Sequence, residues 1–161
     1  MTDADYLRLA YTEAQLSGDT STQNGAILVS GQHGGCIGCG CNDIPEGVDD
    51  TPERRERPLK YQFTEHAERS AIYAAARRGE KTDGATLYAA WLACADCGRA
   101  IICAGVKKVV RHSIPQHAER PDWAASIAAA DQMFREAGVE VAEYREPLGV
   151  RFRFNGVVIE A

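Results

Sequence analysis

The chain contains 161 residues, of which 45% are hydrophobic and 25% are charged, as is typical of a globular domain. Its 18 basic and 23 acidic residues argue against a broad surface for binding long nucleic acid. No apolar run approaches the ~20 residues that span a bilayer, and the acidic N-terminus lacks a signal-peptide pattern. We therefore expect a single domain over residues 1–161, a location in the reducing cytoplasm and no membrane contact.

The first third of the chain predicts one helix and two strands. Apolar side chains recur at helical spacing over residues 3–17, and short apolar runs at 26–29 and 36–41 predict the strands. The glycines in the second run indicate a bulge or a close approach of another backbone. Residues 43–63 follow as a long polar loop with a charged run at 53–57, which is typical either of a binding loop or of disorder.

The remaining residues alternate between helices and strands. Helices are predicted over three segments that each end at a glycine: 66–78, 95–104 and 123–137. Strands are predicted at 86–91, 106–111, 139–142 and 150–154. This alternation predicts an α/β layered domain.

Two short motifs lie where helices are predicted to begin: His66-Ala67-Glu68 and Cys94-Ala95-Asp96-Cys97. One imidazole and two thiolates form a known zinc-ligand set that leaves a fourth position open for water. Zinc lowers the pKa of that water to roughly 7, and a carboxylate beside it can move the proton. The motifs together predict a catalytic zinc site, with His66, Cys94 and Cys97 as ligands and Glu68 as the proton carrier.

Each motif taken alone has a simpler interpretation. His-x-Glu is common at solvated helix starts, and Cys-x-x-Cys can be a redox pair or half of a structural zinc site. The occurrence of both motifs, in this order and each at a helix start, favours the catalytic site.

The other cysteines and two histidines are interpreted as structural. We expect Cys36, Cys39 and Cys41 to be buried small residues, although a second metal site that includes His33 is an alternative. Cys103 is expected in the core, because it lies in an apolar helix. His112 and His117 are expected in a surface loop.

The sequence resembles the zinc-dependent cytidine/deoxycytidylate deaminase superfamily. Its two motifs match the signature H-x-E followed by P-C-x-x-C, except that Ala93 replaces the proline and puts the rigidity of that turn in question. Gly40-Cys41-Asn42 is similar to a family G-Y-N segment, with a cysteine in place of the aromatic residue. Residues 84–88 and 100–110 also resemble the family, and residues 123–141 resemble its deoxycytidylate branch.

The resemblance implies a three-layer α/β/α fold with a central mixed sheet of about five strands, and one bound Zn²⁺. It implies hydrolytic deamination of deoxycytidine monophosphate to deoxyuridine monophosphate and ammonia. In that reaction zinc-bound hydroxide attacks C4 of cytosine, and Glu68 shuttles the protons. It also implies a small-molecule nucleotide substrate and assembly into a homo-oligomer.

Substrate contacts follow from the same resemblance. Asn42 matches a sugar-binding asparagine, and the backbone around Ala67 and Ala93 is expected to hold the pyrimidine edge. Trp91 is a candidate for the base pocket, and Asn24 is either a turn residue or a substrate contact. The polar loop supplies four candidate cations for a phosphate group: Arg54, Arg55, Arg57 and Lys60.

Two classes of alternative function stay open. The same chemistry can act on cytidine, guanine, a modified pyrimidine nucleotide or adenosine in RNA, although the acidic charge disfavours RNA. A zinc-holding subunit without activity is the second alternative. Glu68 argues against it, because a structural zinc site has no need of that carboxylate.

Overall fold

The computed structural model describes all 161 residues. Its centre is a mixed sheet in the order β2-β1-β3-β4-β5, in which β1 is antiparallel to both neighbours and β3, β4 and β5 are parallel. The strands are β1 Gly25–Val29, β2 Cys36–Cys41, β3 Thr86–Ala89, β4 Lys108–His112 and β5 Glu140–Tyr144. The predicted mixed sheet of five strands is therefore confirmed.

Helices cover both faces of this sheet. The helices are α1 Asp3–Ala14, α2 Lys60–Phe63, α3 Ala67–Arg77, α4 Ala95–Cys103 and α5 Ala124–Ala137. Side chains of α3, α4 and α5 form one core cluster with Leu28, Leu87 and Val109 of the strands. Side chains of α1 form a second cluster with Ile27 and Val110, because successive strand residues point to opposite faces. The three layers expected from the family resemblance are thus present.

The glycines of β2 bring the sheet close to α3. A Cβ on Gly38 would lie 2.2 Å from the carbonyl oxygen of Ala71, and one on Gly40 would lie 2.4 Å from Cβ of Ser70. Neither distance is possible for real atoms, so the backbones approach as closely as they do only because these residues are glycines. This contact fixes the helix that follows His66.

The polar loop at 43–63 is ordered and contains local structure. A 3₁₀ helix, Pro52–Arg55, precedes the short helix α2. Arg55 lies between Asp43 and Asp50, with ion pairs of 2.8 and 2.6 Å. All three residues belong to the loop, so these pairs fix its own conformation.

A C-terminal hairpin packs on the α1 side of the sheet. It consists of β6 Arg151–Phe154 and β7 Val157–Glu160, and β7 was not predicted. Asn155 and Gly156 both have positive φ, 51° and 82°, as a two-residue type I′ turn requires. An Asn-Gly pair is a strong hairpin signal, so the sequence did contain the information.

Several predictions about burial are wrong. Cys103 is exposed, because it lies on the outer face of α4, and Cys36 is exposed on the edge strand. Cys39 and Cys41 are half-buried. His112 is a buried residue of β4, where its Nδ1 lies 2.8 Å from the hydroxyl of Tyr11.

No helix has both the length and the apolar character that crossing a membrane requires.

Candidate metal centre and adjoining cavity

The two motifs come together at the N-termini of α3 and α4. His66 is the residue before α3, Cys94 is the residue before α4, and Cys97 lies in the first turn of α4. Nδ1 of His66 lies 3.5 Å from Sγ of Cys94 and 3.5 Å from Sγ of Cys97. All three ligand atoms lie within 4.8 Å of one another.

This geometry fits a zinc ion. Bond lengths of about 2.05 Å to nitrogen and 2.3 Å to sulfur at tetrahedral angles place the two atoms about 3.6 Å apart. The observed separation of 3.5 Å agrees with that value. No other group of three or more His, Cys, Asp or Glu side chains in the chain has such spacing, so Cys36, Cys39 and Cys41 form no second centre.

The two thiols of the cluster differ in acidity. A hydrogen bond from Cys97 lowers the pKa of Cys94 to about 4, although burial opposes this shift. The same contact raises the pKa of Cys97, and burial adds to it. The metal-free pair therefore shares one proton, which a metal ion must displace in order to bind both sulfurs as thiolates.

Glu68 lies beside the cluster and is almost completely buried, with 2% of its surface exposed. Sγ of Cys97 lies 3.5 Å from its Oε2. Burial raises the pKa of this carboxyl group, and the nearby His66 partly offsets the increase. A buried carboxyl whose pKa is raised above its ordinary value, beside such a cluster, is a candidate for accepting and releasing protons.

The turn at Cys94 is held by a contact that the sequence did not reveal. The backbone N–H of Ala95, at the start of α4, donates a hydrogen bond of 2.9 Å to Oγ of Ser126 on α5. A helix start leaves its first N–H groups without partners inside the helix, so this bond fills one of them. Ser126 thereby restrains the turn in which Ala93 replaces the family proline.

A partly open cavity lies beside the cluster. Its lining includes His66, Cys94 and Glu68 together with polar and aromatic side chains. Trp91, Trp123 and Tyr61 contribute aromatic walls, and their neighbouring ring centroids are 6.4 Å apart in edge-to-face pairs. Such walls suit a flat aromatic ring.

The predicted contact residues fall into two groups. Five of them line the cavity: Asn24, Asn42, Arg57, Lys60 and Trp91. Four do not: Arg54, Arg55, Ala67 and Ala93. Ala67 and Ala93 are buried in the core under the cluster. Arg54 lies over the ring of Phe63 at 4.3 Å, and Arg55 is held by its two aspartates.

The cations that line the cavity differ in how they are paired. Lys60 is buried and donates hydrogen bonds of 3.1 and 2.8 Å to the carboxylate of Asp19. Arg120 is paired with Asp122 through two contacts of 3.1 and 2.9 Å. Arg57 is exposed and has no carboxylate partner, only a contact of 3.4 Å with the hydroxyl of Ser21. Among these three lining cations, Arg57 is the one without a carboxylate partner.

The two asparagines are tied to the backbone around them. Oδ1 of Asn42 accepts a hydrogen bond of 2.6 Å from the N–H of Asn24, and its Nδ2 donates one of 2.8 Å to the carbonyl of Thr22. Oδ1 of Asn24 accepts the N–H of Gly25 at 3.0 Å. The amino group of Asn24 is left without a protein partner beside the cavity.

Several lining residues were missed by the sequence reasoning. They are Asp19, Thr22, Tyr61, Thr64, Leu92, Arg120, Trp123 and Ile127. Thr64 and Leu92 lie two residues before His66 and Cys94. The other six come from segments that no spacing or motif links to the two metal-binding motifs. Only the tertiary fold brings them to one cavity.

Comparison with known proteins identifies a family match over most of the chain. A family model described as the cytidine and deoxycytidylate deaminase zinc-binding region matches residues 1–113. The deoxycytidylate deaminase of Mus musculus is 32% identical over 145 residues, which cover 86% of this chain and 77% of that protein. An uncharacterized deaminase from the luxG 3′ region of Aliivibrio fischeri is 33% identical over 84% of this chain and 88% of its own length.

A solved structure agrees with these matches. The dCMP deaminase of cyanophage S-TIM5, in complex with dCMP and dUMP, superposes with a TM-score of 0.69 and 27% identity. The alignment covers 87% of this chain and 94% of that one. The expected zinc cofactor accords with both the zinc-binding family match and the His66, Cys94 and Cys97 cluster.

Proposed function

Because the chain belongs to the cytidine and deoxycytidylate deaminase family, we propose that it hydrolyses deoxycytidine monophosphate to deoxyuridine monophosphate and ammonia. The mouse relative carries the deoxycytidylate deaminase name, and the phage relative was solved with dCMP and dUMP. The observation that carries the proposal is the combination in one cavity of the metal-binding cluster, buried Glu68, aromatic walls and the unpaired Arg57.

His66, Cys94 and Cys97 would hold the zinc ion. When bound, the ion supplies an acidified water molecule at neutral pH. Glu68 takes a proton from this water and delivers it to N3 of the ring. The water oxygen bonds to C4, and Glu68 then carries the remaining hydroxyl proton to the exocyclic nitrogen as the bond between that nitrogen and C4 breaks. The products are a C4 carbonyl and ammonia, so the atoms of one water molecule are fully accounted for.

Recognition of the nucleotide is assigned to the other lining residues. Trp91, Trp123 and Tyr61 enclose the flat base, and the free amino group of Asn24 is a donor for the sugar or the base. Arg57 contacts the phosphate, because it is the lining cation with no carboxylate to satisfy it. Asn42 acts by holding the Asn24 segment as well as by facing the cavity.

The test is an ultraviolet assay on dCMP, deoxycytidine, cytidine and guanine. We expect kcat/KM for dCMP to exceed that for deoxycytidine, and Arg57→Gln to reduce the dCMP value about ten- to hundredfold, the range for a hydrogen bond to a charged group. Arg54→Gln is the matched control, since that arginine lies outside the cavity. Equal rates on nucleotide and nucleoside would remove the phosphate assignment, and turnover of guanine alone would favour a different base.

Other expectations from the sequence stay predictions. They are the single deaminase domain over residues 1–161, the assembly into a homo-oligomer and the cytoplasmic location. Size-exclusion chromatography with light scattering measures the number of subunits directly.

A further inference from the structure

The C-terminal hairpin, residues 151–160, lies beyond residue 113, where the match to the family model ends. Its turn nevertheless reaches the wall of the cavity. The residues at the turn, Phe154, Asn155 and Gly156, each contact a segment that lines or supports that wall. The hairpin is therefore part of the architecture of the site.

Phe154 packs against Trp91. It is 1% exposed, and its ring meets that of Trp91 edge to face with a centroid distance of 5.5 Å. His117 stacks on Trp91 at 5.4 Å and also contacts Phe154, at 5.9 Å. Trp91, which lines the cavity, is thus backed by two rings that fix its orientation.

Asn155 connects two other parts of the wall. Its backbone N–H donates to Oγ1 of Thr22 at 3.2 Å, and its Oδ1 accepts from Arg120 at 3.4 Å. Thr22 and Arg120 both line the cavity. The next residue, Gly156, donates to the carbonyl of Ser21 at 2.8 Å.

Arg153, the residue before Phe154 in β6, adds a third connection. Arg153 exchanges hydrogen bonds of 2.9 Å with Gln23 and donates one of 3.1 Å to the carbonyl of Asp19. Asp19 holds Lys60, so the loop that carries Arg57 is tied indirectly to the hairpin.

We propose that the C-terminal hairpin positions the wall of the nucleotide cavity, and that Phe154 is the positioning residue that sets the orientation of Trp91. The identity of the ligand rests on the proposed function. Phe154 itself does not line the cavity, so its effect on the nucleotide passes through Trp91.

The hairpin offers a matched pair of substitutions. Phe152 is on the same face of β6 and is also buried, at 4%. Its ring packs on Tyr11 of α1 at 4.9 Å and meets Phe154 at 6.3 Å, but it makes no ring contact with Trp91. Phe154→Leu and Phe152→Leu therefore remove the same atoms from the same strand. We expect Phe154→Leu to raise KM for dCMP about two- to tenfold, the range for an aromatic pair, with a smaller change in kcat. Phe152→Leu should leave KM within twofold of the parent.

Tryptophan fluorescence gives a second readout that needs no substrate. The chain has two tryptophans, and both line the cavity. In a Trp123→Phe background only Trp91 emits, so Phe154→Leu should shift its emission and increase its quenching by acrylamide, whereas Phe152→Leu should not.

The outcomes separate this inference from the proposed function. Lack of dCMP turnover by the parent protein would contradict the proposed function, and the fluorescence comparison would still decide the role of the hairpin. Equal fluorescence in the two leucine variants would overturn the inference. Equal KM values in the two variants of an active enzyme would do the same.

Discussion

Ser126→Ala should weaken zinc binding although Ser126 belongs neither to the three-ligand cluster nor to the cavity lining. The hydroxyl accepts the N–H of Ala95, which directly follows Cys94. Without that acceptor the turn between Cys94 and Cys97 has more freedom in the metal-free protein. Part of the free energy of zinc binding is then used to order this turn.

The size of the effect follows from one neutral hydrogen bond. Such a bond contributes about 1 kcal/mol, and 1.36 kcal/mol corresponds to a factor of ten. The dissociation constant for zinc should therefore rise about fivefold. Competition against a chromophoric chelator measures that constant, and urea unfolding of the metal-free protein measures any accompanying loss of stability.

A second substitution should restore the affinity. The N–H of Ala93 donates no hydrogen bond, so Ala93→Pro removes none and stiffens the turn by fixing φ. Ala93→Pro should therefore recover most of the loss in the Ser126→Ala background. Ser113→Ala is the control, because the hydroxyl of Ser113 makes no hydrogen bond in the protein. Unchanged zinc affinity in Ser126→Ala, within twofold, would refute the reasoning.

Three further predictions concern proton transfer, the buried ion pair and acid stability. Glu68→Gln should keep zinc, as shown by metal analysis, and lower kcat by about 10²- to 10⁴-fold; undiminished turnover would exclude Glu68 as the proton carrier. Lys60→Met leaves the carboxylate of Asp19 buried without its cation, so urea unfolding should show a loss of about 3–5 kcal/mol, with a smaller loss when Asp19→Asn is added. Burial lowers the pKa of His117 in the folded protein to about 3. In the unfolded chain the pKa of this histidine is about 6.5, so below that pH the unfolded chain binds a proton that the folded protein does not bind. The free energy of unfolding contributed by His117 should thus be intact above pH 7 and fall by about 1.4 kcal/mol for each pH unit below 6.5. His117→Phe should flatten this decline between pH 7.5 and 5.5, and equal slopes for parent and variant would contradict the assignment.

The parts of the fold that the sequence predicted are those set by local patterns. The apolar runs along the chain identified the five sheet strands and the main helices. The two motifs identified the metal-binding cluster, because each motif consists of residues that are close together in the sequence. The glycines of the second run indicated a bulge or a close approach of another backbone, and at Gly38 and Gly40 the structure shows that this backbone is α3.

The parts that were missed depend on tertiary contacts. A charged run at 53–57 does not reveal that Arg55 is neutralised by Asp43 and Asp50, whereas Arg57 is left free. The burial of His112 depends on its partner Tyr11, which is 101 positions away. The apolar composition of α4 suggested a buried Cys103, but the outer face of a surface helix stays in solvent.

The origin of the side chains divides the site into two parts. The metal-binding atoms and Glu68 all come from residues 66–97, whereas much of the wall comes from the chain around Asp19–Asn24, from the polar loop and from residues beyond 113. On the proposed function, exchange of those outer segments should change the preference for base or sugar and leave the metal-binding residues and Glu68 in place. Engineering of new substrate preferences is best begun in the outer segments.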